Sequence, residues 1–285
     1  MRSILITGGS GAFGNAVTQY LLTETNAERI VVYSRGEYQQ FLMSREVAPL
    51  NMADRLRFMI GDVRDRDRLR RAMEGIEVVI HAAALKRIEV GNYNPIEMIK
   101  TNVGGAINVI EAAQDAGVKK VVALSSDKAF QPVSPYGTSK ALAESIFLAA
   151  NNTTGAHGPK FSVCRYGNVW GSTGSVVPVW KSMIASGQDT VPVTDPECTR
   201  FFMRMSEAVD LVIDTINSPV VGELAIPSLP AYRLGDLAEA MGAKIKVMGL
   251  PIWEKLHESM NEITHSGRAR RMTIEELKKE LRNGN

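Results

Sequence analysis

Two short strings in this chain carry the residue types of proton-transfer chemistry. The first, Ser125-Ser126-Asp127-Lys128, sets hydroxyls, a carboxylate and an amine in consecutive positions; the second is Tyr136-Gly137-Thr138-Ser139-Lys140. Tyr136 and Lys140 are four residues apart, so on a helix both project from one face. A free phenol ionises near pH ~10, and an ammonium with a further cation beside it would stabilise the phenolate and make it a usable base near neutrality. Tyr-x-x-x-Lys is common on surface helices, and it gains meaning here from the serine that ends the strand before it.

A third string, Thr7-Gly8-Gly9-Ser10-Gly11-Ala12-Phe13-Gly14, follows the apolar run Ile4-Leu5-Ile6. Without a Cβ, Gly8 can take a tight turn, Gly11 lets the backbone approach a pyrophosphate, and Gly14 lets helix and strand pack closely. The anion then sits on a helix N-terminus, where free N–H groups and the dipole favour it. Arg35 stands 21 residues after Gly14, in Tyr33-Ser34-Arg35, where an NAD site would place an acid for the ribose diol. A hydroxyl and a guanidinium suit a 2′-phosphate instead, so the expectation is NADP. Asp62-Val63 and His81-Ala82-Ala83-Ala84 close two further strands; the first suits the adenine edge, and the small side chains of the second let the dinucleotide pass.

Those residues need elements to hold them. Ile4–Ile6, Ile30–Val32, Leu56–Ile60, Val78–Ile80, Val121–Leu124 and Phe161–Val163 read as buried strands. Between them Ala12–Thr23, Glu37–Val47, Asp65–Met73, Asn94–Ala116 and Pro135–Ala150 have helical spacing. Strict alternation implies crossovers, hence an α/β fold, a doubly wound parallel Rossmann sheet with helices on both faces. Residues 1–165 form its dinucleotide-binding domain. From residue 166 to 285 glycine, proline and serine loosen the pattern into a smaller substrate-binding region, part of which returns to the first domain. A last helix, Thr273–Leu281, opens with a Thr273/Glu276 capping box.

Composition narrows the classes. Among 285 residues, 33 Lys+Arg face 31 Asp+Glu, a formal charge of +2, which argues against a nucleic-acid groove or a polybasic membrane surface. With 45% hydrophobic and 22% charged residues the chain is of globular type. Cys164 and Cys198 are too few for a disulfide framework or a metal cluster, and no apolar run nears the ~20 residues that span a bilayer. Ile4–Ile6 is too short for a signal peptide. A cytoplasmic protein with no metal and no nucleic-acid or membrane partner is expected.

The glycine string, Ser126 and Tyr136-x-x-x-Lys140 resemble the extended short-chain dehydrogenase/reductases. Longer strings, His81–Lys86, Ser126–Ala129, Arg165–Val169, Gly174–Pro178, Thr199–Phe202 and Glu254–Glu258, resemble the inverting UDP-N-acetylglucosamine 4,6-dehydratases of bacterial polysaccharide and flagellin-sugar synthesis, from Met1 to about Met260. Asp127-Lys128 is the most diagnostic, since retaining dehydratases carry Asp-Glu there and simple 4-epimerases neither. The chain departs from the pattern at Ser126, where threonine is usual, at Thr173, where arginine is usual, and at Gly249–Trp253, where Arg-Pro-Gly is typical.

The resemblance implies a UDP-sugar substrate, a tightly bound and recycled NADP, and a homo-oligomer between dimer and hexamer. It implies that Tyr136, with Ser126 and Lys140, removes the O4 proton while C4 gives hydride to NADP⁺, and that Lys128 then removes the C5 proton. Asp127 assists loss of the O6 hydroxyl as water, the hydride returns to C6, and protonation from the opposite face yields UDP-2-acetamido-2,6-dideoxy-β-L-arabino-hex-4-ulose. Lys86, Asn102 and Val169 join the glycine string and strand ends around the cofactor. Lys86 also reaches the sugar, with Asn168, Ser175, Val177, Arg200, Arg233 and Glu254 around the nucleotide-sugar. Lys128 must then be neutral and Asp127 protonated; desolvation and neighbouring cations depress Lys128, the same cations favour ionised Asp127, and the pair titrates jointly. A C4 or C5 epimerase, a 5,6-dehydratase and a silent NADP-binding protein stay open as alternatives.

Overall fold

The computed structural model describes residues 1–50, 54–155 and 157–283. Seven strands form one sheet: β1 (Ser3–Thr7), β2 (Arg29–Ser34), β3 (Leu56–Ile60), β4 (Val78–His81), β5 (Lys120–Leu124), β6 (Lys160–Cys164) and, far along the chain, β9 (Leu224–Ala225). Their order is β3-β2-β1-β4-β5-β6-β9, and every pair is parallel. This is the doubly wound order, and its direction reverses between β1 and β4, where a crevice opens at the carboxyl ends of the strands.

Side chains alternate across the pleat. Ile4, Ile6, Val32 and Ile80 enter a core with α1 (Ala12–Thr23), whereas Leu5, Val31, Val79 and Val121 enter one on the other face with α3 (Arg66–Ala72), α6 (Gly105–Asp115) and α7 (Pro135–Ala150). The first core also takes Val209, Val212 and Ile213 from α9 (Met205–Asn217), so a helix of the chain's second half covers the sheet opposite α6 and α7. A third core gathers Trp180 of α8 (Val176–Ala185), Val191 and Val193 of β7 (Thr190–Val193), Leu237 of α10 (Leu234–Ala240) and Leu277 of α11 (Ile274–Asn283). Around it lie an antiparallel pair, β8 (Thr199–Phe201) with β10 (Ala231–Arg233), and a parallel pair, β7 with β11 (Lys244–Val247).

The expected strands and α1, α2 (Glu37–Val47), α3 and α7 fall within a residue or two of where their periodicity puts them. Thr273 and Glu276 make the reciprocal capping box: the Glu276 amide donates to Thr273 Oγ1 at 3.2 Å, and the Thr273 amide to Glu276 Oε2 at 2.8 Å. The single helix expected over 94–116 is instead α5 (Pro95–Ile99), a π-helical turn over Lys100–Gly104, and α6, with an unforeseen α4 (Ile88–Tyr93) ahead of them. Asn102 lies in the π turn and its side chain is the reason for attention there: Oδ1 accepts from the Leu85 amide at 2.8 Å and Nδ2 donates to the Leu85 carbonyl at 2.9 Å and to Ser139 Oγ at 3.0 Å.

Phe147, 1% exposed on α7, packs beside His81 and Phe161 and anchors that helix to the sheet. Phe147→Ala is expected to cost about 3–5 kcal/mol in denaturant unfolding; a loss below about 1 kcal/mol would contradict the anchoring.

Candidate active site

A cleft of about 1000 Å³ opens at the β1/β4 crevice and extends to the third core. At one end it is walled by Gly8, Ser10 and Gly11–Gly14, with Ser34, Arg35, Asp62 and Val63 at the neighbouring strand ends. Ala82–Ala84 and Lys86 form the middle, then Ser126–Lys128, Tyr136 and Lys140. Asn168, Val169, Ser175, Arg200 and Glu254 line the far end. Four residues expected at the site do not line it. Thr7 lies behind the glycine turn, bonded to His81 Nδ1 at 2.7 Å; Asn102 braces the backbone as described; Val177 is buried in the third core. Arg233 is turned to Asp236 and Glu197, at 2.6 and 2.9 Å.

The glycine end is shaped for a dinucleotide. Gly8 has φ +67°, and a Cβ there would lie 2.8 Å from the backbone of Ala83, so only glycine permits the turn. A Cβ on Gly11 would meet only the Gly8 carbonyl within 4 Å, which leaves the backbone open on the cleft side. Gly11 caps α1 without a side-chain bond, so the first-turn amides are free for a phosphate. Arg35 is half-exposed with Nη1 3.8 Å from Asp62 Oδ2, while Ser34 Oγ is buried and accepts from Ser10 Oγ and Gln40 Nε2, both at 2.9 Å. Buried Thr101 Oγ1, Ser125 Oγ, Asp127 Oδ2, Asn168 Oδ1 and Ser175 Oγ, all on cleft-lining residues, have no hydrogen-bond partner among the described residues. Such atoms are costly unless a ligand or water satisfies them.

The reactive groups come from two elements. Asp127 and Lys128 lie in the 3₁₀ turn after β5, where the Asp127 amide donates to the Tyr166 carbonyl at 2.9 Å. Ser134 caps α7 by accepting from the Gly137 amide at 3.1 Å, with Pro135 at its first turn. A Cβ on Gly137 would lie 2.3 Å from the Lys128 carbonyl, so glycine at this position lets α7 press Tyr136 against the Asp127-Lys128 turn. Lys140 Nζ donates to the Leu124 carbonyl at 2.5 Å, and burial pushes its pKa down to about 8.

Asp127 is fully buried, and Ser126 Oγ and Lys128 Nζ donate to its Oδ1 at 2.9 and 3.2 Å. Burial and the charge of Glu258 raise its pKa against the pull of Lys128. Burial raises Tyr136 as well; Lys128 and a hydrogen bond with Ser126 oppose it. One expectation is overturned: Lys128 is not depressed. Burial does act downward, but the charges of Asp127 and Glu258 outweigh it and hold the ammonium.

The sequence profile of a family described as polysaccharide biosynthesis proteins matches residues 4–277. The chain belongs to that family. It is 45% identical over 261 residues, 91% of this chain and 77% of the other, to a Campylobacter jejuni UDP-N-acetylglucosamine 4,6-dehydratase (inverting). It is 37% identical over 268 residues, again 91% and 77% of the two chains, to a Rickettsia akari UDP-glucose 4-epimerase. The crystal structure of Pen from Bacillus thuringiensis superposes with a TM-score of 0.92 at 33% identity, covering 99% of this chain and 97% of that one.

For this member of the polysaccharide biosynthesis family the structure adds groups that sequence reasoning did not single out. Arg87, Glu89, Tyr166 and Trp180 line the cleft, and Glu258 reaches its reactive end with Oε1 3.4 Å from Lys128 Nζ. The string Glu254–Glu258 was the only signal for Glu258, and spacing alone does not bring it beside residue 128. His81 gives a pH test. Burial, with Lys140 adding, pushes it down to about 3, so between pH ~6.5 and about 3 the unfolded chain binds a proton here that the native protein does not. This group therefore makes stability fall as pH falls through that window. Urea titrations should show a shallower acid loss in His81→Gln than in the wild type; parallel curves would contradict this account.

Proposed function

We propose that the chain is an NADP-dependent nucleotide-sugar 4,6-dehydratase that converts UDP-N-acetylglucosamine with inversion at C5. The observation that carries this reading is the Asp127–Lys128 pair beside Tyr136, its carboxylate buried and its amine facing the cleft, at the inner end of a dinucleotide cradle. A 4-epimerase, the activity named for the Rickettsia relative, needs oxidation at C4 but neither an acid at O6 nor a base at C5. Burying a carboxylate and an amine without use for both is expensive, so the pair favours dehydration.

A bound nicotinamide dinucleotide supplies the redox chemistry at C4 and C6. Tyr136, oriented by Ser126, takes the O4 proton; Lys128 and the Ser126 hydrogen bond oppose the burial that raises the phenol, and Lys140 with the cofactor's positive ring would add to that pull. The C4 ketone acidifies C5–H. In the resting pair one proton lies on Lys128 Nζ, 3.2 Å from Asp127 Oδ1. Its transfer yields a neutral amine and a carboxylic acid, the base for C5 and the acid for O6; a substrate seated over the pair would displace water from it and favour this uncharged form over two desolvated charges. Removal of the C5 proton by Lys128 and protonation of the departing O6 by Asp127 return the pair to its ionic form.

Asn168, Ser175, Arg200 and Glu254, in the half formed by residues 166–285, would hold the nucleotide-sugar together with Lys86 from residues 1–165, the half that holds the cofactor. Val177 and Asn102 act from behind the lining. Arg233 would join the substrate contacts only by leaving Asp236 and Glu197. Exposed Val90, Tyr93, Ile96 and Ile99 on α4 and α5 support self-association, and two free buried cysteines agree with a reducing cytoplasm.

In single turnover, Lys128→Ala should oxidise C4 and accumulate reduced nicotinamide absorbance, with C5 exchange down by ~10²–10⁴. Tyr136→Phe should lose both. Undiminished C5 exchange in Tyr136→Phe would make Tyr136 a cofactor contact only. Equilibrium binding tests the cofactor: NADP(H) should bind more tightly than NAD(H), and Arg35→Asp should reverse the order. Equal affinities in the unaltered protein would sink the NADP assignment.

A further inference from the structure

Glu258 is 2% exposed and belongs to a segment pinned on every side. Its amide donates to Ser266 Oγ and its carbonyl accepts from the Ser266 amide, both at 2.8 Å. Two residues before it the Leu256 carbonyl accepts from the Thr199 amide at 2.9 Å, and two residues after it the Met260 carbonyl accepts from Arg165 Nη1 at 2.5 Å. Arg165 is itself buried and clamped by both oxygens of Glu144, which stands one turn beyond Lys140 on α7. The side chain so presented places Oε1 3.4 Å from Lys128 Nζ and Oε2 3.2 Å from Lys255 Nζ. Lys255 in turn donates to the Phe130 carbonyl at 2.8 Å, just beyond the Asp127-Lys128 turn.

Lys128 already has a counterion in Asp127 at 3.2 Å. A second buried carboxylate is not needed to neutralise one ammonium, and its desolvation would cost several kcal/mol if it had no further effect. We propose that Glu258 is a positioning residue for the reacting amine: its carboxylate holds Lys128 Nζ between two carboxylates, its own and that of Asp127, and keeps that amine protonated until substrate enters. The proposal rests on the dehydratase reading for its purpose, but the arrangement is testable without it. Nζ is then held by two contacts rather than swinging about one, and Asp127 is left free to give up its share of the pair when O6 arrives. Lys128, Arg200 and Lys255 together outweigh the burial of Glu258 and keep that carboxylate ionised.

Charged and titratable groups face Lys128 from several elements: Asp127 from its own turn, Tyr136 from α7, Arg200 from β8, Tyr232 from β10, and Glu258 with Lys255 from the pinned segment. Asp127 and Glu258 both favour the ammonium, and Arg200 opposes it. Removing the charge of Glu258 while keeping its shape must therefore ease loss of the Lys128 proton, and removing Lys255 must do the reverse.

The test reads the proton on Lys128 directly. Purified protein is treated briefly with acetic anhydride across a pH series, and labelling of Lys128, which requires the neutral amine, is followed by mass spectrometry. In Glu258→Gln the labelling half-point should move at least one pH unit lower than in the wild type, Glu258→Asp should restore most of the shift, and Lys255→Met should move it higher. The acid limb of C5 solvent exchange should move with the half-point. An unmoved half-point in Glu258→Gln overturns the proposal, as does activity that falls equally at every pH, the mark of a purely structural prop. Should Glu258→Gln fail to fold, an unmoved half-point in Lys255→Met has the same force. If Lys128→Ala retains C5 exchange, the dehydratase reading fails, while the labelling series still decides the role of Glu258.

Discussion

A lysine ammonium inside a protein has to be surrounded by compensating charge, and in this chain that requirement organises the site. Lys128 is mostly buried and is held between Asp127 and Glu258; Glu258 is balanced by Lys255, and Arg200 by Glu254. The groups come from the end of β5, from β8 and from the segment around residue 258. Parting these groups would leave a charge without its partner, so the ion pairs join the end of the sheet to the later region. Three unlike roles follow from one balance: an acid pushed towards its protonated form by burial, a base that keeps its proton at rest, and a phenol beside them whose proton affinity burial raises.

The fold supplies the placement. Parallel strands deliver their carboxyl ends to one edge, and the reversal of order between β1 and β4 leaves a crevice there. The glycine turn fills one side because Gly8 can take a positive φ against Ala83, and Gly137 lets α7 close on the Lys128 carbonyl on the other. Arg165, bonded to Glu144 on α7 and to the Met260 carbonyl, ties that helix to the segment that presents Glu258. The cofactor cradle and the proton-transfer groups are thus parts of one packed edge.

Most of this edge was legible in the residues. Runs such as Ile30–Val32 and Val121–Leu124 are buried on both faces and have the length of strands, and the Thr273/Glu276 box marks its helix start by local hydrogen bonding alone. The π turn at Lys100–Gly104 was not legible, since its signal is the pull of Asn102 onto Leu85, a tertiary bond that period counting does not see. The raised proton affinity of Lys128 was missed for the same reason: local sequence shows Asp127, but the second carboxylate arrives from a distant part of the chain. Arg233, apt for a diphosphate by type, is committed to Asp236 and Glu197 by the turn it occupies.

The central claim is that the Asp127–Lys128 pair dehydrates a sugar after Tyr136 has opened the way. The most direct measurement is proton NMR of the product formed when the unaltered protein, with its cofactor, is incubated with UDP-N-acetylglucosamine in D2O. The account predicts a 6-deoxy-4-keto sugar inverted at C5 and carrying deuterium there. A 4-epimer with its C5 proton retained and its O6 hydroxyl intact would contradict it.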